Sequence, residues 1–135
     1  MKIILDTNCF ISSIGKKSVY RKVFDSFLDG KFILCVSTEI LFEYEEKFSE
    51  FWGVKVANNI MGVLLTANNV TFHSVFYNFH MVEGDKDDNK FSDCYLSSGA
   101  DILVSNDSQL LALNKNVYPP VAVMSLEEFM NSFFS

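Results

Sequence analysis

The sequence contains few of the residues that build disulfide frameworks and zinc sites. It has three cysteines and two histidines among 135 residues. Cys9, Cys35 and Cys94 are odd in number, widely spaced and surrounded by apolar residues, which argues against both a disulfide framework and a CxxC metal site. We therefore expect three buried free thiols. His73 and His80 are isolated in the chain, and we expect structural or surface roles for them.

Long hydrophobic runs and an excess of basic residues are also missing. No stretch approaches the roughly 20 uncharged apolar residues that span a bilayer, and the run from Ile3 to Leu5 is too short for a signal peptide. These features predict a soluble cytoplasmic protein. The formal net charge of −6 gives a field that does not attract nucleic acid. A polyanionic partner would have to be recruited locally, by a metal ion or a small basic patch.

Apolar residues are abundant, at 49% of the chain with 14 phenylalanines, and they alternate between strand and helix patterns. One domain over residues 1–135 suffices for this length. Val19, Val23, Phe24 and Phe27 give one predicted helix its apolar spacing. The predicted strands are 2–5, 31–36, 70–75, 102–105 and 121–124. The predicted helices are 18–28, 37–48, 51–67, one from Asp87 or Asp88 to 98, and one after Ser125. This alternation predicts a three-layer α/β/α sandwich with a central parallel sheet of four to five strands.

Two predicted strands end on carboxylates. Asp6 follows the first strand, and Asp107 follows the fourth in the segment Ser105-Asn106-Asp107. Chemistry in an open parallel sheet lies beyond the carboxyl ends of the strands, near the point where strand order reverses. We therefore expect these two carboxylates to lie close together.

Further acidic residues lie on two predicted helices. The core stripe of the helix after the second strand is formed by Ile40, Leu41, Tyr44 and Phe48. Glu43 and Glu45 lie on opposite flanks of this stripe, and geometry prefers Glu43 modestly as a side chain that points into a cleft. A solvated face is the alternative. Asp87 and Asp88 open a later helix, where aspartates also cap free amides.

Four carboxylates in one cleft could not all stay ionised without a counter-charge, because like charges raise one another's pKa. A divalent cation resolves this conflict, and an all-oxygen site suits magnesium or manganese better than zinc. Such an ion activates water and stabilises a phosphoryl transition state. It would also recruit the polyanion that the net charge repels.

At this point the sequence resembles a PIN domain, the nuclease domain of VapC-type toxins in bacterial toxin–antitoxin pairs. The resemblance extends from Lys2 to about Met124 and is carried by four segments: ILDTN, STEILFEYEEKF, DKDDNKFSDCYLSSGADILVSND and DSQLLAL. It implies an endoribonuclease that hydrolyses RNA phosphodiesters with Mg²⁺ or Mn²⁺, on a sheet with strand order near 3-2-1-4-5. Its implied partners are RNA, a small antitoxin protein and a second copy of the chain.

The resemblance also assigns roles to individual residues. The implied catalytic and metal-binding acids are Asp6, Glu43, Asp88 and Asp107, with Asp88 favoured over Asp87 by the DD-x-K-F register. The residues implied to support these acids or position the substrate are Asn8, Ser105 and Asp93. From their position near the predicted acids, the candidate contacts to RNA phosphates are Lys16, Lys17, Arg21, Lys22 and Lys90, with a solvated surface as the alternative. The aromatic residues of the segment VFYNFH could stack bases or cover a dimer patch, although packing onto the core is the simpler interpretation.

Two other functions share parts of this pattern. A metal site of the same kind could act on another phosphoester, such as DNA or structured RNA. The strand end Asp6-Thr7-Asn8 lacks the second aspartate of DxD phosphatases, which weighs against that class. A noncatalytic PIN-like module that only binds nucleic acid would normally show a degraded set of acids, and here the set is intact.

Overall fold

The computed structural model describes residues 1–75, 89–116 and 118–134. Its strands are β1 (Lys2–Leu5), β2 (Ile33–Val36), β3 (Val70–Phe72), β4 (Ile102–Val104) and β5 (Val123–Met124). Its α-helices are α1 (Thr7–Ile14), α2 (Arg21–Leu28), α3 (Thr38–Trp52), α4 (Val54–Thr66), α5 (Asn89–Ser98), α6 (Ser108–Leu111) and α7 (Leu126–Phe133). A short 3₁₀ turn, Ala112–Lys115, follows α6.

The strands form one parallel sheet in the order β3-β2-β1-β4-β5, flanked by helices. The predicted α/β/α architecture and strand order are therefore confirmed. The chain runs from β1 through β2 to β3 on one side and then crosses to β4 on the other side of β1. This reversal places the carboxyl ends of β1 and β4 next to each other, and Leu5 pairs with Val104 in the last register position.

The core is aromatic where α1, α2 and α3 meet. Phe10 of α1 packs edge to face on Tyr44 and Phe48 of α3, with ring centroids 5.0 and 5.1 Å apart, and it also contacts Phe24 and Phe27 of α2. Such tilted and edge-to-face pairs are favourable beyond the area that they bury. Phe10 therefore fixes the position of α3 relative to the residues that follow β1.

Helix α1 is a difference from the sequence expectation, which treated the residues after Asp6 as the end of a strand. The chain enters a helix at Thr7, and the Asp6 carbonyl accepts the first helical bond from the Phe10 N–H at 3.0 Å. Cys9, Phe10 and Ile14 are buried and face the core. Their spacing is that of one face of a short helix. Asp6 is consequently the residue at which β1 turns directly into α1.

Helix boundaries also differ from the predicted ones, and local contacts explain two of them. Helix α2 begins at Arg21 because residues 18–20 form a turn in which the Tyr20 N–H donates to the Ser18 hydroxyl. Val19, which belongs to the apolar spacing of the predicted helix, is 76% exposed. Helix α3 continues past Phe48 to Trp52 and is separated from α4 by Gly53, whose φ of +94° disfavours other residues.

Other predicted details agree with the structure. Ser37 caps α3, and Ser125 with Glu128 forms a capping box at α7. The three cysteines are free and buried. Strands β2, β3, β4 and β5 are shorter than predicted, and the predicted start of the helix at Asp87 or Asp88 lies outside the described residues. Among the described helices, none has the length and apolar character required to cross a membrane.

Candidate active site at the carboxyl edge of the sheet

Asp6 is a buried carboxylate at the point where strand order reverses. Its side chain accepts a hydrogen bond from the Ser105 hydroxyl at 2.7 Å. Its own N–H donates to the Val104 carbonyl at 2.9 Å, so β4 fixes the backbone at this position. The residue is only 8% exposed.

Ser105 connects the two strand ends. The hydroxyl that donates to Asp6 also accepts the N–H of Asp107 at 3.0 Å. Ser105 is completely buried, so this bridge is protected from water. The expectation that Asp6 and Asp107 come to the same edge of the sheet agrees with this geometry.

The Asp107 carboxylate also has a structural role in starting a helix. One oxygen of its carboxylate accepts the N–H groups of Gln109 and Leu110, at 2.8 and 3.1 Å. Asp107 is therefore the N-cap of α6. These contacts engage Oδ1, and they fix the orientation of the carboxylate at the end of β4.

Glu43 is brought to the same region by α3. The neighbouring Tyr44 is fully buried and donates its hydroxyl to the Leu5 carbonyl, which ties α3 to the end of β1. Glu43 accepts a hydrogen bond from the Thr7 hydroxyl on one oxygen and pairs with Lys90 at 3.4 Å on the other. The other glutamates of α3 are exposed, which agrees with the helical-wheel preference for Glu43.

The Thr7 contact with Glu43 was not predicted from the sequence. Thr7 lies in the first turn of α1, and that helix was itself missed. The sequence signal that could have predicted this contact is the Thr7 hydroxyl directly after a strand-end aspartate, together with Glu43 on the flank of a helix. Thr7 is 3% exposed, so its hydroxyl needs a partner inside the protein.

The electrostatics of Asp6 are unfavourable for a charged group. Burial raises the pKa of the Asp6 carboxyl above its usual range, and the negative charges of Glu43 and Asp107 raise it further. The Ser105 hydroxyl and the Asn8 backbone N–H lower this pKa, but their effect is smaller. Among residues 1–75, 89–116 and 118–134, no lysine or arginine forms an ion pair with Asp6. The carboxylate thus lacks a compensating cation within this part of the chain.

The neighbouring thiol cannot supply chemistry in place of a metal. Burial, with a contribution from the Asp6 charge, raises the pKa of Cys9 to about 12. A thiol with that pKa stays protonated at neutral pH and is a poor nucleophile. Cys9 is accordingly a core residue.

The acidic side chains at this edge of the sheet provide oxygen ligands that suit a divalent cation. Asp6, Glu43 and Asp107 offer the hard ligands that magnesium and manganese prefer, and an uncompensated buried carboxylate is the environment that a cation relieves. Within the described residues, however, no three His, Cys, Asp or Glu side chains form a group that could hold a metal ion. Asp88, the fourth predicted acid, lies outside the described residues.

Asp93 lies on α5, away from solvent. It is 3% exposed and lines a cleft of about 210 Å³ with Glu39, His73 and Lys90. His73 is hydrogen-bonded to the Thr71 hydroxyl at 2.8 Å, and burial lowers its pKa. The cleft lies beyond the ends of β2 and β3, and Lys90 is common to it and to the Glu43 ion pair.

The basic residues proposed from the sequence fall into different environments. Lys16 and Lys17 are exposed and line a groove with Asn8. Arg21 is engaged by Asp25 at 2.9 Å and by the Ile14 carbonyl, so its role is partly structural. Lys22 is exposed on α2. The aromatic segment at 76–80, including His80, lies outside the described residues.

Family and structural comparisons agree with this architecture. A family model for the PIN domain matches residues 2–109. The match covers most of the chain, and the protein therefore belongs to the PIN domain family. A sequence comparison with curated proteins gives no match.

Solved structures that are similar to this chain include two VapBC complexes. A chain of VapBC2 from Rickettsia felis, crystallised with a DNA fragment from its promoter, aligns with a TM-score of 0.64 at 17% identity and covers 93% of this chain and 98% of that one. A chain of DNA-bound VapBC from Salmonella typhimurium aligns with a TM-score of 0.62 at 16% identity, with the same coverage. At these identities the likeness shows a shared fold.

Proposed function

We propose that this protein is a divalent-metal-dependent endoribonuclease and the toxin component of a type II toxin–antitoxin pair. The observation that carries the proposal is the buried Asp6 carboxylate, which meets the charges of Glu43 and Asp107 with no cationic partner among the described residues. Membership of the PIN family supports a nuclease. Residues 1–135 are proposed to form a single PIN domain that acts in the cytoplasm.

The acids proposed to hold Mg²⁺ or Mn²⁺ are Asp6, Glu43, Asp88 and Asp107. When bound, the cation supplies Lewis-acid stabilisation of the phosphoryl transition state and lowers the pKa of water. The chain's own residues prepare the ligands. The Ser105 hydroxyl orients Asp6, while Thr7 and Lys90 hold the two oxygens of Glu43. Asp93 is proposed to support this arrangement from the adjacent cleft.

The assignment as a toxin rests on the resemblance in fold to chains of two VapBC complexes. We propose that a small antitoxin protein binds this chain and suppresses its activity, and that the chain forms a homodimer. An antitoxin would be necessary if the enzyme cleaves cellular RNA, because uncontrolled cleavage would stop growth.

The direct test is RNA cleavage by the purified protein with Mg²⁺ or Mn²⁺, compared with Asp6→Asn. We expect the variant to lose activity by roughly 1,000-fold, because it removes a charge that stabilises the transition state through the cation. Excess chelator should abolish wild-type cleavage. Equal cleavage by the variant, or full activity in chelator, would refute the mechanism, and cleavage of DNA in preference to RNA would refute the substrate assignment.

The toxin role needs a separate experiment in cells. Expression of the wild-type chain should arrest growth, and Asp107→Asn should relieve the arrest while retaining the cap of α6, since asparagine is also a good N-cap residue. Equal accumulation of the two proteins, checked by immunoblot, is the required control. Growth that is unaffected by the wild-type chain would argue for a different cellular role.

A further inference from the structure

A wide groove with an apolar floor lies beside the acidic site. It has a volume of about 740 Å³ and is formed by the end of α1, the loop before α2 and the end of α3. Asn8 lines this groove, and the backbone N–H of the same residue lowers the pKa of the nearby Asp6 carboxyl. The groove therefore begins two residues from the central acid of the proposed active site.

The groove presents aromatic rings to solvent. Trp52 and Phe51, at the end of α3, are 40% and 68% exposed, and their rings pack edge to face with centroids 5.3 Å apart. The Trp52 indole also lies against Gly15, where an added Cβ would be 3.4 Å from the ring. The indole is thus supported from one side by protein backbone and remains partly open to a ligand.

Cationic side chains border the same groove. Lys16 and Lys17 are exposed and line it together with Tyr20. The chain has a net charge of −6, but these two adjacent lysines place positive charge beside the exposed aromatic rings. Exposed aromatics combined with nearby lysines are the features that bind single-stranded nucleic acid, since rings stack on bases and ammonium groups meet phosphates.

We infer that this groove, defined by Asn8, Lys16, Lys17, Phe51 and Trp52, binds a nucleotide of single-stranded RNA adjacent to the cleaved phosphodiester. The inference rests on the proposed ribonuclease function and adds a substrate subsite to it. Trp52 stacks on a base, and Lys16 and Lys17 contact the neighbouring phosphates. Continuity with Asp6 through Asn8 favours substrate over a protein segment, which an apolar floor alone could also accommodate.

The single tryptophan of the chain makes the inference directly measurable. Trp52 emission is recorded while a short single-stranded RNA is added in excess chelator, so that no cleavage intervenes. We expect saturable quenching, and we expect an abasic ribose-phosphate oligomer of equal length to bind without quenching. Binding is followed independently by the anisotropy of labelled oligomers.

Variants separate stacking from electrostatics. Trp52→Leu should weaken RNA binding by about 5- to 150-fold, whereas Trp52→Phe should retain most of it. The double variant Lys16→Gln/Lys17→Gln should reduce the slope of log affinity against log salt by about 1.4. Phe133→Leu, on exposed Phe133 of α7, and Lys31→Gln/Lys115→Gln are matched controls outside the groove and should leave binding unchanged.

The outcomes also distinguish this inference from the proposed function. Metal-dependent cleavage that Asp6→Asn abolishes, together with unquenched Trp52 and a fully active Trp52→Leu, would overturn the groove assignment and leave the ribonuclease intact. Quenching by RNA without cleavage would support the groove and count against the catalytic proposal. If RNA leaves Trp52 emission unchanged while a bound protein partner shields it, the groove is a protein-docking surface and the inference is wrong.

Discussion

Asp6 and Asp107 follow adjacent parallel strands at the same edge of the sheet, yet their surroundings differ. Asp6 is buried, accepts a hydrogen bond from the Ser105 hydroxyl and has a raised pKa. Asp107 is partly exposed and uses Oδ1 to cap α6. An acid at a strand end can thus have a local structural role, as Asp107 has in capping α6, or can be held in a buried position where its charge is disfavoured, as Asp6 is.

Removing the hydroxyl that connects the two acids should have the largest effect on stability. Ser105→Ala leaves an Asp6 oxygen and the Asp107 N–H without their shared partner, so we expect a loss of stability of about 1–3 kcal/mol. Metal affinity or cleavage should fall by about 10- to 100-fold, because the ligands lose orientation. Chemical denaturation and cleavage rates measure the two effects.

The control for that prediction is Ser105→Thr, which retains the hydroxyl. It should be more active than Ser105→Ala, provided that the added methyl group is accommodated in the buried position. Full activity of Ser105→Ala would mean that the bridge does not position Asp6.

Two substitutions can separate the role of Asp107 as the N-cap of α6 from its proposed role as a metal ligand. Asp107→Ala should lose about 1 kcal/mol of stability with the N-cap, while Asp107→Asn should remain near the wild-type value. Both should lose metal-dependent cleavage, since neither retains the carboxylate charge. Urea denaturation alongside RNA cleavage checks the pair, and an active Asp107→Asn would restrict this residue to its capping role.

The smallest expected effect is a gain of stability in Asp6→Asn without metal. The pKa of Asp6 is raised in the folded state, so the folded protein binds this proton more tightly than the unfolded chain does. The stability of the protein therefore falls as the pH rises from about 3.8, the usual pKa, through the folded pKa. Asparagine removes this cost. The variant should therefore melt at a higher temperature than wild type at neutral pH, and the difference should shrink toward about pH 4.

Thermal melts in chelator across that pH range make the measurement. Asp29→Asn, at an exposed position at the end of α2, is the matched control and should show a smaller change. A variant that melts below wild type at neutral pH would show that the Asp6 charge is already compensated in the folded protein.

The sequence predicted the fold well because its signals were local. Apolar runs with strand and helix spacing gave the α/β alternation, and Ser37 and Ser125 marked helix starts. Helix α1 was missed because it begins immediately after β1, without a separate cap or turn signal. Gly53 was not predicted to separate two helices, since glycine alone does not reveal whether its φ is positive.

The site was predictable only in part. Asp6 and Asp107 could be placed together because parallel strands end at one edge, and Glu43 could be preferred from its position on the helical wheel. The hydrogen bond from Thr7 to Glu43 depends on how α1 packs against α3, which one sequence does not specify. The groove at Trp52 likewise depends on the end of α3 approaching the loop at Gly15, a contact between segments far apart in the chain.

The central claim is that the acids at this edge of the sheet hold a divalent cation, and Mn²⁺ binding tests it most directly. Calorimetric titration of the wild-type chain, Asp6→Asn and Asp107→Asn requires no RNA and no cleavage. The account predicts that wild type binds Mn²⁺ and that each variant binds at least about 10-fold more weakly, because each loses a charged ligand. Equal Mn²⁺ affinity in all three proteins would contradict it.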